Sequence, residues 1–144
     1  MKMFVGEYAH TLDTKGRLII PASFREDLGD TFFVTKGNDH CIYIYSQEDW
    51  EALVAKLRSL PQLSSEAVRK LNRTLMGGAN KCESDRQGRI LISPPLRAYA
   101  GLKKDVVLVG VGDHVEIWNR ESWQQEMEDV DMNAVSSSLE SLGI

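Results

Sequence analysis

Two pairs of residues in this chain have the types and spacing to set an arginine at a turn, ready for phosphate or guanine. They are Asp13 with Arg17 in "DTKGRLIIP" (13–21), and Asp85 with Arg89 in "DRQGRILISP" (85–94). An aspartate opening a turn accepts backbone N–H bonds two residues on. Gly16 and Gly88 supply the positive φ that such a turn needs. Capping and an ion pair to the following arginine would account for both aspartates. They account less well for an arginine kept just after the tight turn in both copies. There a guanidinium projects beyond the strands, where its planar fork suits bidentate contact with phosphate or guanine. Lys15 adds charge to the first turn and Arg86 to the second.

Other chemistries lack their residues. His10, His40 and His114 fall at unrelated phases, and neither Cys-x-x-Cys nor His-x-x-x-His occurs. Cys41 follows His40 directly, so on a strand the two would face opposite ways. The glycines at 16 and 88 are single, which is not a phosphate-cradling loop. No Gly-x-Ser-x-Gly elbow exists. The expectation is a protein without catalytic residues, metal, cofactor or small-molecule substrate.

The 144 residues suit one compact domain or two fused halves. No apolar run nears the roughly 18 residues of a membrane span, and "MKMFVGEYAH" does not read as a signal peptide. A soluble, cytosolic protein without membrane contact is expected, with Cys41 and Cys82 as buried thiols. The net charge of −4 is unevenly spread. Arg58 to Lys104 holds ten basic and three acidic residues, a net +7. Asp105 to Ile144 holds nine acidic residues and one basic, a net −8. A basic face on an acidic protein is one reading of this layout; ordinary solvated charge is the other.

The turn belongs to a longer internal repeat. Asp13, Gly16, Arg17, Ile20, Arg25 and Gly29 match Asp85, Gly88, Arg89, Ile92, Arg97 and Gly101 at a constant offset of 72, as Gly6 matches Gly78. After a small indel, Ile44, Glu48 and Trp50 match Ile117, Glu121 and Trp123. Two copies are too few for a solenoid but suit a pseudo-dimer in which each half completes the other's core. The limits read as 1–60 for the first unit, 61–77 for a linking helix, 78–131 for the second unit and 132–144 for a tail or docking helix.

Within a unit, "EYAHTLD" alternates as a half-buried strand, and "RLII" reads as the return strand of a hairpin ended by Pro21. "ASFREDLG" is a short helix closed by Gly29. "TFFVTKG" and "CIYIYS" are two further strands. Ser46 with Asp49 fits a capping box ahead of Trp50, Leu53, Val54 and Leu57. In the second copy Asn119 can cap, and Trp123, Met127 and Val130 form the expected apolar stripe. The linking helix should pack through Ala67, Leu71 and Leu75, and the tail through Val135, Leu139 and Leu142.

"DTKGRLIIPASFREDLG" resembles the swapped-hairpin DNA-binding module of the AbrB/SpoVT/antitoxin superfamily. Two such units, with "GEYAHTLDTKGRLIIP", "CIYIYSQEDW", "DRQGRILI" and "VEIWNRESW", resemble the MraZ family up to about residue 130. The resemblance implies an α+β, β-rich fold in which two swapped-hairpin repeats form a pseudo-two-fold, barrel-like core with flanking helices. It implies a nucleoid-associated bacterial transcription regulator, usually a repressor. Such proteins bind short direct repeats in double-stranded promoter DNA upstream of the division and cell-wall gene cluster, and assemble into rings. It assigns DNA contact to Arg17 and Arg89, with Lys15 and Arg86 as neighbours. Gln87 stands where the first copy has Lys15. Arg25 and Arg97 are open between DNA contact and packing. A protein-binding, antitoxin-like module with an acidic C-terminal segment is the alternative.

Overall fold

The computed structural model describes residues 2–143. Eight strands form two ladders: β1 (Phe4–Thr11), β2 (Arg17–Ile19), β3 (Phe32–Lys36), β4 (Ile42–Ser46), β5 (Asn80–Cys82), β6 (Arg89–Leu91), β7 (Asp105–Gly112) and β8 (Val115–Asn119). Six helices accompany them: α1 (Ala22–Leu28), α2 (Gln47–Arg58), α3 (Glu66–Gly77), α4 (Pro94–Tyr99), α5 (Arg120–Glu128) and α6 (Met132–Ser138). The class is α+β with antiparallel pairing throughout.

The larger ladder has the order β1-β7-β8-β4-β3-β5, and β2 pairs with β6 in a separate ribbon. The sequence repeat equates β1 with β5, β3 with β7 and β4 with β8. The order therefore reads the same from either end, with its midpoint between β8 and β4. This corrects two expectations. "RLII" is not the return strand of a local hairpin, because β2 takes its partner from the other half of the chain, with Leu18 opposite Ile90. Nor is the core a closed barrel. The sheet runs open from β1 at one edge to β5 at the other, and among the described residues no ladder joins these two strands.

Alternation of side chains decides what each sheet face buries. Phe32, Val34, Ile42, Ile44, Val106, Leu108, Val115 and Ile117 face one side. There they meet Leu18, Ile20, Ile90 and Ile92 of the ribbon segments, Phe24 and Leu28 of α1, Leu96 of α4 and Ala100, which caps it. Residues from both halves thus share one core. The other face carries Cys41, Val107, Val109 and Trp118 with Trp123 of α5, while Trp50 of α2 stacks on Phe33 at 5.0 Å between ring centroids. Both cysteines are free thiols, Cys41 buried and Cys82 half-buried.

The helix starts follow their caps. Ser46 Oγ accepts from Asp49 N–H at 3.2 Å, and Asn119 Oδ1 accepts from Ser122 N–H at 3.1 Å. The faces of the later helices differ from expectation. In α3, Ala67 and Leu71 are exposed, while Val68, Leu75 and Met76 are half-buried, and Leu75 O accepts the Thr35 hydroxyl at 2.6 Å. In α5 only Trp123 packs; Met127 is 48% exposed, and Val130, two residues beyond the helix end, is exposed too. The stripe ends there because the sheet edge ends there: Trp123 reaches Glu7 of β1, to which its indole N–H donates at 2.9 Å. Val135 and Leu142 are exposed as well.

On the α2/α5 face, the His114 ring lies against Tyr43 and Tyr45, with Nδ1 2.7 Å from Asp113 Oδ1 and Nε2 3.5 Å from Glu116 Oε2. Burial opposes charging this ring, but the two carboxylates outweigh it, so its pKa is raised. A raised folded pKa stabilises the protein fully below the unfolded value and loses that contribution as pH rises through the folded one. The stability difference between the parent and a His114→Gln variant should therefore shrink as pH rises from below 6.5. Thermal melts across pH check this, and a difference that grows with pH would contradict it.

Candidate nucleic-acid interface

Each Asp-x-x-Gly-Arg turn is built in the same way. Asp13 Oδ1 accepts the N–H groups of Lys15 (2.9 Å) and Arg17 (2.8 Å), and Asp13 Oδ2 accepts Arg17 Nε–H at 2.7 Å. Asp85 Oδ1 accepts from Gln87 and Arg89, both at 2.9 Å, and Oδ2 from Arg89 Nε–H at 2.8 Å. The backbone bond from Arg17 lowers the Asp13 pKa, as that from Arg89 lowers the pKa of Asp85, with the guanidinium adding to both. The aspartates therefore stay ionised and hold their arginines. So the ion pair weighed from sequence is present. It uses only the Nε–H of each guanidinium, and leaves the four N–H groups of the two terminal nitrogens to meet an acceptor.

Gly16 and Gly88 are buried, with φ of 82° and 77°. A side chain there would be strained and would also collide. A Cβ on Gly88 would overlap the Arg25 guanidinium, and one on Gly16 would overlap that of Arg97. Arg25 and Arg97 thus pack across the opposite half's turn. Ile20 N–H donates to Gly88 O at 2.9 Å and Ile92 N–H to Gly16 O at 2.8 Å, which ties each strand end to the other turn.

The ribbon register, Arg17 opposite Leu91 and Ile19 opposite Arg89, brings Arg17 and Arg89 to one face at diagonally opposed corners. Lys15 and Arg86 are exposed in the two turns but are not equivalent: Arg86 corresponds to Thr14, and Lys15 to Gln87. Sequence reading missed Lys103 and Lys104 as neighbours of the first turn. Leu12 N–H donates to Lys104 O at 2.7 Å, and the two lysines line a groove with Thr11, Leu12, Asp13 and Thr14. Nothing local signals this, because the strand pairing of β1 with β7 creates it. At the second turn, continuing the register Phe32 opposite Cys82 sets Asp30 opposite Ser84, the place that Lys104 holds opposite Leu12 at the first. The first turn is therefore the more basic of the two.

The sequence as a whole matches a known family. The family model described as "MraZ protein, putative antitoxin-like" matches residues 3–73 and 75–140. The chain belongs to the MraZ family. It is 46% identical over 144 residues to a protein of Thermoanaerobacter sp. (strain X514), covering 99% of this chain and all of the relative. It is 51% identical over 145 residues to one of Desulfitobacterium hafniense (strain DSM 10664 / DCB-2), with 99% of this chain and all of the relative covered. A relative from Carboxydothermus hydrogenoformans is 51% identical over 121 residues, 84% of each chain. All three carry the name Transcriptional regulator MraZ.

Proposed function

We propose that the chain is a sequence-specific transcriptional regulator that binds double-stranded promoter DNA through its two arginine turns. The observation that carries this reading is the pair of clamped arginines on one ribbon face, each held by its aspartate through Nε alone. Their remaining donors match guanine edges or phosphates, and the relatives' shared name supports regulation as the outcome. In this reading, two swapped-hairpin halves (1–60 and 78–131) joined through 61–77 form the DNA-binding body, with 132–144 as a tail. The protein works in the cytoplasm at the nucleoid. There it represses its own division and cell-wall cluster by occluding short direct repeats. Copies assembled in a ring engage successive repeats and gain avidity through effective concentration.

A mobility-shift assay with DNA upstream of its own gene tests the reading. Retention that survives excess unrelated DNA supports it; retention lost to an equal excess of any DNA overturns sequence specificity. Lys103 and Lys104 act on phosphates in this scheme. Replacing both with Ala should weaken binding to cognate and unrelated duplexes alike and reduce the salt slope by roughly two, about one per lost phosphate contact. Affinity measured across a salt series checks this, and a loss confined to cognate DNA would contradict it.

A second reading has its own observation. The acidic C-terminal part exposes Met127, Val130, Met132, Val135 and Leu142, which suits a basic protein partner of an antitoxin-like module. Truncation after Asp129 separates the two: DNA binding should persist without the tail, whereas a protein partner held by the tail should be lost.

A further inference from the structure

The β2–β6 ribbon has an outer face that the arginines do not fill. Leu18, Ile20, Ile90 and Ile92 point into the core and are at most 2% exposed, as an aliphatic run should be. Ile19 and Leu91, between them, are 44% and 61% exposed. Single exposed aliphatic residues are ordinary on protein surfaces. These two are equivalent positions of the repeat, 72 residues apart, and lie on the same ribbon face as Arg17 and Arg89. Neither supplies core packing that would explain a large aliphatic side chain at that place in both halves.

We infer that Ile19 and Leu91 are specificity-determining residues that contact thymine methyl groups in the DNA major groove. The inference rests on the DNA-binding reading above. A two-stranded antiparallel ribbon is narrow enough to enter the major groove, where the thymine C5-methyl is the apolar feature a base pair presents. The register seats each aliphatic side chain directly across from an arginine, Arg17 with Leu91 and Arg89 with Ile19. An arginine on a guanine edge or phosphate would thus hold the neighbouring aliphatic group against the groove floor. Charge complementarity selects the occupant: the guanidiniums of Arg17 and Arg89 lie on this apolar face, those of Arg25 and Arg97 pack against the turns at Gly88 and Gly16 that lead into it, and nucleic acid is the polyanion that also offers methyl groups. Ile19 and Leu91 lie on different strands, two residues apart along the ribbon. That is roughly 7 Å, or about two base steps. The two thymines should therefore sit on opposite DNA strands about two base pairs apart.

The test uses the full chain and the duplex upstream of its own gene, made once with thymine and once with uracil, which lacks only the methyl. Affinity for both is measured for the parent, for Ile19→Ala with Leu91→Ala, and for Arg17→Ala with Arg89→Ala. The readout is the thymine-to-uracil affinity ratio within each protein, so a change in folded fraction cancels. Burying one methyl corresponds to about fourfold, so the parent ratio should be about 15-fold for two contacts. It should fall toward one in the aliphatic variant. The arginine variant should bind both duplexes weakly while keeping a ratio above one. A parent ratio of one, or an aliphatic variant that keeps the parent's ratio, overturns the inference and leaves the DNA-binding reading standing. No specific binding of the parent to either duplex overturns both.

Discussion

Arg17→Ala combined with Arg89→Ala should strongly weaken binding to cognate DNA while leaving the fold intact. Each arginine offers its two terminal nitrogens to an acceptor, and a bidentate contact with a base contributes roughly 1–3 kcal/mol of discrimination. Losing both corresponds to roughly 2–6 kcal/mol if the contacts are independent, a loss of about 30-fold to about 20,000-fold in affinity. The structural cost is small by comparison. Each arginine makes one partly exposed bond to an aspartate four residues away, and solvent screening keeps the contribution of such pairs small. The backbone bonds to Asp13 and Asp85 remain when the side chain is shortened. Titration binding with a cognate and a scrambled duplex, run beside thermal melting, checks the prediction. Unchanged cognate affinity would refute the site. A large fall in melting temperature would mean that the arginines hold the turns together instead of reading DNA.

The first half of the chain, expressed alone as residues 1–72, should not form a folded monomer. All eight residues of β1 pair with β7, and all three of β2 pair with β6. Without the second half both strands lose every ladder partner, and unpaired strand edges attract other chains. The core loses Ile90, Ile92, Leu96, Val106, Leu108, Val115 and Ile117 at once, so Leu18 and Ile20 would face water. A chain of about 70 residues has little apolar area in reserve. The repeat supplies an escape, since β3 is the counterpart of β7, and β1 of one copy can pair with β3 of another. A symmetric dimer or an aggregate is therefore expected. Light scattering behind size exclusion, with circular dichroism, distinguishes these outcomes. A helical and stranded monomer with a cooperative melt would show that the halves are independent.

Much of the local structure was legible in the residues. The Asp-x-x-Gly-Arg turns, the Ser46 and Asn119 caps and the termination at Gly29 depend on atoms within a few positions of one another. So do the spans of most strands and of α2. Short-range chemistry suffices there, because the donors and acceptors that decide the conformation are sequence neighbours. The same holds for the aspartate clamp on each arginine.

Partner choice was not legible, because a ladder's other strand is set by long-range packing. Period-two alternation marks "RLII" as a strand without saying whether it pairs with β1 or, as it does, with β6. The helix faces were missed for a related reason. Around α3, Ala67 and Leu71 lie only one residue from Val68 and Asn72, and the position of β3 decides which arc is covered. Val130 lies beyond the end of α5 and is exposed. Ile19 and Leu91 are aliphatic like the core residues beside them, and the ribbon's orientation turns them outward beside the arginines. Lys103 and Lys104 are some 90 residues from the turn they flank, and the β1–β7 ladder brings them there. The sequence by itself determined the chemistry of each arginine turn. The tertiary structure decided that the two turns share one face, because that depends on strands pairing across the halves, where contact energies summed over the whole core outweigh any local preference.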